Sequence, residues 1–217
     1  MNYLLAAATR FEIEPTINFL KQNWSEVQTD CFTNGHNSIQ ILIHGVGMVS
    51  TAYQITKLLE NKKFDCAIQA GIAGSFDKNL LLGEVVLVSD EQFGDLGAED
   101  KYQFLDLFDL GFQNKNEAPF NEKKINSSIP KRSLNLNQIK NASGITVNMV
   151  SGTDFTAEQR KQKFNCTVES MEGAAFHYVC AMNKMDFFQL RAISNYVEVR
   201  DKSKWKIKEA IENLNEQ

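Results

Sequence analysis

Short apolar runs recur along this chain, and they restrict what it can fold into more than any other feature. Residues 2–9, 38–44, 65–70, 84–88, 145–150 and 187–194 are too short for core helices. They are also too continuously aliphatic for half-exposed strands, so they read as strands buried on both faces. Between them lie segments of helical spacing. Residues 11–23 form one, with Pro15 tolerable only in its first turn. Residues 49–59 form another, with Ala52, Ile55, Leu58 and Leu59 on one face. Residues 172–182 and 204–214 complete the set. Buried strands alternating with helices predict an α/β fold, a single-domain three-layer sandwich whose mixed, mostly parallel sheet is flanked by helices. Ligands of such sheets sit at the carboxyl ends of strands, which is where the chemistry is to be sought.

The 217 residues suit one domain spanning 1–217. Residues 114–143 break the pattern. They are rich in Asn, Lys and Ser, carry Pro119 and Pro130, and read as an irregular excursion: a lid, an oligomer contact or a plain surface insertion. A formal net charge of −4 gives no electrostatic footprint for nucleic acid or an anionic membrane. No apolar run approaches the roughly 18 residues of a spanning helix. The opening residues lack a basic leader and read as a first core strand rather than a signal peptide, so a cytoplasmic protein is expected. Cys31, Cys66, Cys166 and Cys180 form no CxxC pair and have no metal-ligand spacing with His36, His44 or His177. Reduced structural thiols, and neither metal nor cofactor, are the expectation.

Four segments join a predicted strand end to polar or glycine residues: Ala8 to Glu12, Ala70 to Ser75, Val168 to Ala175, and Arg191 to Asn195. Gly71-Ile72-Ala73-Gly74 lacks the spacing of a dinucleotide fingerprint or a P-loop, yet its glycines suit close approach of backbone to a ligand. Glu172 opens a helix directly after a strand, and Glu12 stands in a first helical turn. Either carboxylate alone could simply compensate a helix dipole, an effect of about 0.3–1 kcal/mol. Their combination is more specific.

These segments resemble the purine nucleoside phosphorylase and nucleosidase superfamily, and within it the methylthioadenosine/S-adenosylhomocysteine nucleosidases and above all the futalosine hydrolase branch. The resemblance runs from Ala8 onward and is carried by AGIAGSF (residues 70–76), GEVVLVSDEQFGDLGAED (83–100), SMEGAAFHYVC (170–180) and RAISNYVEVRD (191–201). It implies a nucleosidase that takes a small-molecule purine nucleoside and assembles as a homo-oligomer. It also implies roles. Glu172 would bind the ribose hydroxyls and Glu12 would activate the attacking water. Met171 would pack on the ribose, Phe155 would stack on the base, and Gly71, Ile72, Ala73, Gly74, Ser170 and Arg191 would complete the binding site.

Cleaving the bond between sugar carbon and base nitrogen builds positive charge on the sugar and negative charge on the base, and a catalyst must answer both. Asn195 is the informative departure, since the adenine-releasing relatives carry Asp at this position. An asparagine amide donates to a 6-oxo oxygen and accepts from a protonated N7. An ionised aspartate would oppose that oxygen, at a cost of about 1–3 kcal/mol for a mismatched buried pair. Asn195 therefore indicates hypoxanthine or guanine as leaving group, and the resemblance implies futalosine, which carries hypoxanthine. Asparagine is no general acid, so N7 takes its proton from solvent or the base leaves as an anion held by hydrogen bonds. Ile72 is a second departure: it stands where the adenine-specific relatives have Ser, so its polar contacts must come from backbone. Futalosine's carboxylated aromatic group requires a basic partner, for which Arg200 and the basic residues of 123–132 are candidates.

Three alternatives stay open. A phosphorylase of the same fold would need a cationic phosphate site, yet Arg10 is the only arginine before Arg132. A nucleosidase acting on inosine, aminofutalosine or methylthioadenosine is the second. A nucleoside-binding protein without catalysis would dispense with Glu12 or Glu172, and both are present.

Overall fold

The computed structural model describes residues 1–130, 136 and 138–217. β1 (Asn2–Ala7) runs into α1 (Arg10–Asn23), and β2 (Ser25–Gln28) and β3 (Cys31–Thr33) lead to β4 (Ser38–Ile43), α2 (Met48–Asn61) and β5 (Cys66–Ser75). β6 (Val85–Phe93) is followed by a hairpin of β7 (Gly97–Asp100) and β8 (Gln103–Asp106), then by β9 (Ile125–Asn126), β10 (Lys140–Thr146) and α3 (Asp154–Phe164). β11 (Val168–Ser170), α4 (Gly173–Met182), β12 (Asp186–Tyr196) and α5 (Ile207–Asn215) complete the chain.

The main sheet has the order β11-β10-β6-β12-β5-β1-β4-β3-β2, and β11 also pairs with β5, so five strands close on themselves. Its centre is parallel at β4-β1-β5-β12 and at β6-β10-β11, and antiparallel where β12 meets β6. Alternation across the pleat sorts the core into two layers. Leu5 and Phe188 pack on one face with Ile13, Ile17 and Leu20 of α1 and Leu214 of α5. Leu4 and Phe187 pack on the other with Ile55 and Leu59 of α2 and Phe176 and Val179 of α4. This is the mixed α/β sheet between helical layers that the sequence pattern predicts.

Three local features depart from that pattern. First, β5 does not end at Ala70. It continues through the glycine segment to Ser75, because β12 pairs with it as far as Tyr196. Second, the strand expected at 145–150 is Lys140–Thr146, so residues 114–143 are not wholly irregular, and β9 within them pairs with β6. β10 lacks an apolar signature because Gly144 packs directly on the buried Glu91 carboxylate. Third, β2, β3, β7, β8 and α3 leave little apolar trace, and α3 buries only Ala157 and Phe164.

α1 breaks at Ile13 (φ −123°, ψ 15°), which puts Pro15 in the first turn of the helix that resumes. Asn215 of α5 fastens this break. Its Nδ2 donates to the Glu12 carbonyl (2.8 Å), and its Oδ1 accepts from the Thr16 backbone N–H (3.1 Å) and hydroxyl (2.7 Å). The four thiols are free, and burial pushes Cys66 and Cys166 up to about 12. No helix among the described residues is long and apolar enough to cross a membrane.

Candidate active site

Arg191 of β12, 1% exposed, is the hub of a buried polar cluster. A guanidinium has five N–H donors, and burying it uncompensated is costly. Its Nε donates to Gln189 Oε1 (2.6 Å), Nη2 to Gln69 Oε1 (3.0 Å) and Nη1 to the Ile72 carbonyl (3.3 Å). Behind each glutamine lies a histidine: Gln69 Nε2 is 3.1 Å from His44 Nε2, and Gln189 Nε2 is 3.3 Å from His177 Nε2. The opposite ring nitrogens face carbonyls, His44 Nδ1 that of Gly45 (2.8 Å) and His177 Nδ1 that of Ile125 (2.9 Å). This assigns the proton to Nδ1 and leaves Nε2 to accept from the amide. Both imidazoles are therefore neutral, and burial pushes each down to about 4.

Two carboxylates flank this hub. Glu172 caps the start of α4 and lies 3.5 Å from Arg191 Nη2 through Oε2, while its Oε1 accepts from the Gly47 N–H (3.1 Å). Glu12, also buried, accepts at Oε2 from the Thr9 N–H (2.9 Å) and hydroxyl (3.0 Å), and at Oε1 from the Ile72 N–H (3.1 Å). It thus caps its own helix and reaches across to the glycine segment of β5. Gly71 shows how tightly the groups meet: a Cβ there would lie 2.4 Å from Arg191 Nη1 and 2.9 Å from Glu12 Oε1. Only glycine fits between them.

Asn195 lies further along the same strand pair, where Arg191 stands opposite Gly71 and, three positions on along β5, Asn195 stands opposite Gly74. A bulge between Ile193 and Asn195 re-aims the side chain. The amide is oriented by its neighbours: Oδ1 accepts from Ser194 Oγ (2.8 Å) and Nδ2 donates to the Tyr196 carbonyl (3.0 Å). One hydrogen and one lone pair remain for a ligand. Asn195 lines a cavity of about 240 Å³ together with Gly74, Ser151, Glu169, Val197 and Arg200. Whole-ligand pockets span roughly 300–1,000 Å³, so this volume suits one part of a nucleoside. Glu12 and Glu172 do not line it. They stand beside it, at the Gly71 end of the shared strands.

The remaining predicted residues divide. The polar contacts of Ile72 do come from its backbone, and they go to Glu12 and Arg191. Ala73 is in the core and its carbonyl accepts from Ser194 (3.2 Å). Ser170 Oγ accepts from the Gly173 N–H (3.3 Å) at the start of α4, and Met171 is half-buried beside Glu172. Arg191, expected to touch substrate, instead commits its donors to protein groups and orients Glu172. Phe155 is not brought to the cavity: α3 begins at Asp154 and carries the ring outward, 67% exposed, into a separate cleft shared with Tyr102 and Met149. Among the candidates for a carboxylate partner, Lys123 is paired with Asp106 and Asp109 and Lys124 with Asp90. Lys131 and Arg132 lie outside the described residues. Arg200 lines the cavity, stacked 5.2 Å above the Trp205 ring.

Sequence reasoning missed Gly47, His44, Gln69, Gln189, Glu169 and Arg160. The signal for the glutamines was legible, as each interrupts an apolar strand run that has no room for an unpartnered amide. Glu169 is fixed by the Ser151 N–H (2.8 Å), Ser151 Oγ (2.7 Å) and Arg160 Nη1 (2.9 Å).

This fold, with two buried carboxylates around Arg191 and a small cavity at the strand ends, is that of the Phosphorylase superfamily, whose family model matches residues 5–217. The futalosine hydrolase of Thermus thermophilus is 31% identical over 170 residues, covering 78% of this chain and 75% of the relative. The chain belongs to the futalosine hydrolase family within that superfamily. It is also similar to a 5'-methylthioadenosine/S-adenosylhomocysteine nucleosidase of Bacillus velezensis, 29% identical over 206 residues and covering 88% and 85% of the two chains. In fold it matches the solved futalosine hydrolase of Helicobacter pylori with a TM-score of 0.80 at 17% identity, over 100% of this chain and 94% of the other.

Proposed function

We propose that the chain hydrolyses the N-glycosidic bond of futalosine and releases hypoxanthine and dehypoxanthine futalosine, a step of the futalosine route to menaquinone. The reading is carried by one observation: an amide oriented by Ser194 and Tyr196 lines a cavity of about 240 Å³, and on the same two strands, three register positions back, Gly71 lies against Arg191 and the buried Glu12. Asn195 suits a 6-oxopurine, donating to the 6-oxo oxygen and accepting from N7–H. Glu172 accepts from the ribose hydroxyls and stabilises positive charge as it develops on the sugar. Glu12 takes a proton from water as the oxygen attacks the anomeric carbon. The electron pair of the broken bond goes to the purine, and N7 is protonated from solvent. Arg200 meets the carboxylate of the sugar substituent. The enzyme acts in the cytoplasm as a homo-oligomer, without cofactor.

The test is a panel of futalosine, aminofutalosine, inosine and methylthioadenosine, with and without phosphate. Futalosine is expected to give the highest kcat/KM, with hypoxanthine released at the same rate in both buffers. Strict phosphate dependence with a sugar 1-phosphate product would replace the hydrolase by a phosphorylase.

A further inference from the structure

We infer that Glu91, which lies behind the site and faces no substrate, is its positioning residue: one carboxylate holds both the helix start that presents Glu172 and the guanidinium that orients it. The inference rests on the functional reading above.

Glu91 is fully buried on β6. Its Oε1 accepts from Gln189 Nε2 (2.9 Å), and Gln189 Oε1 accepts from Arg191 Nε (2.6 Å). Its Oε2 accepts from Thr146 Oγ1 (2.9 Å), which in turn accepts from the Ala174 N–H (2.7 Å) in the first turn of α4. The two chains of hydrogen bonds leave one carboxylate and converge on Glu172, the N-cap of α4 and neighbour of Arg191. Two glycines make room for this residue: a Cβ on Gly173 would lie 2.0 Å from Glu91 Oε1, and one on Gly144 would lie 2.6 Å from it. Gly173, which resemblance alone left as part of a motif, is thus explained by Glu91.

A buried carboxylate with no cation in direct contact is an expensive way to fill space. A glutamine of the same shape would avoid that cost but would offer one accepting oxygen in place of two, and both Glu91 oxygens accept here, one for each chain of hydrogen bonds. Around it stand Arg191 on β12, Asp90 on its own strand and the neutral His177 on α4. Burial pushes the Glu91 carboxyl up to about 7, with Asp90 adding to the rise, while Gln189, Thr146 and Arg191 oppose it.

The experiment compares wild type with Glu91→Gln from about pH 6 to pH 8, measuring kcat/KM on futalosine and Tm in parallel. At the alkaline end the variant is expected to lose tenfold or more in kcat/KM while its Tm equals or exceeds that of wild type. The gap should narrow toward pH 6, where wild-type Glu91 takes up its proton. A structural role alone would make activity follow Tm. Gln189→Met, which cuts the chain to Arg191 and leaves Glu91 and its Thr146 chain in place, should show part of that loss, again with Tm and kcat/KM moving apart. Matching kcat/KM for Glu91→Gln and wild type across the range, or a loss that tracks Tm, overturns the inference while turnover by wild type keeps the functional reading intact. A wild type inactive on every nucleoside of the panel would remove that reading, and this inference with it.

Discussion

Asn195 concentrates the specificity argument in one amide. Its Nδ2 donates to the Tyr196 carbonyl at 3.0 Å, so an aspartate here would set an oxygen against that carbonyl unless it kept its proton. Asn195→Asp is expected to lower kcat/KM for 6-oxopurine nucleosides by about 10- to 100-fold, the equivalent of one mismatched buried pair, and to shift preference toward 6-amino substrates. The ratio of kcat/KM for futalosine and aminofutalosine checks this, and an unchanged ratio would contradict the assigned contact. Residues of this kind were legible in the sequence because their chemistry is complete in one side chain. Asn195 could be read from the chemistry of its amide, whereas Glu12 and Glu172 were ambiguous singly and drew their expected roles from the resemblance of the segments that carry them. Arg191 did not reveal its own, because its role depends on Gln69, Gln189 and Ile72, which only strand register brings to it.

At the scale of elements, α3 shows how a segment with little apolar face is held. Arg160 reaches from α3 to the Met149 carbonyl, Ser151 Oγ and Glu169 Oε2, each at 2.9 Å. It thereby ties the turn before α3 to β11 and to the cavity wall. Removing one partner of a buried ion pair costs roughly 3–5 kcal/mol, because the other charge is left uncompensated. Arg160→Ala should lower Tm by several degrees and raise KM more than it lowers kcat, since Ser151 lines the cavity. Adding Glu169→Gln to that variant should recover part of the stability, and a double-mutant cycle by denaturant titration would show it. The long aliphatic strands and the amphipathic helices were readable for the opposite reason: burial against two layers leaves a periodic apolar pattern. β10 was misplaced because its Gly144 packs on a buried carboxylate and leaves no apolar trace, and Phe155 faces away from the cavity because a motif fixes the order of residues, not the direction in which a helix start turns them.

For the whole molecule, pH acts through groups buried in opposite senses. His44 and His177 are held down at about 4, so the folded state binds fewer protons than the unfolded one between there and about 6.5. Their contribution is complete above that range and is lost as acid takes the pH down through it. Glu91, raised to about 7, has the opposite sign and loses stability as the pH rises from about 4.5 to 7. Two histidines outweigh one carboxyl, so unfolding free energy should fall by about 3 kcal/mol between pH 6.5 and pH 4. Denaturant midpoints measured across that range test it, and a flat profile would deny the neutral state assigned to the imidazoles. The clamp that Asn215 places on the break in α1 has a temporal meaning as well. The backbone that carries Glu12 is secured by a residue some two hundred positions further along the chain, so until α5 has been synthesised and docked, a nascent chain holds the early carboxylate without the brace that sets it.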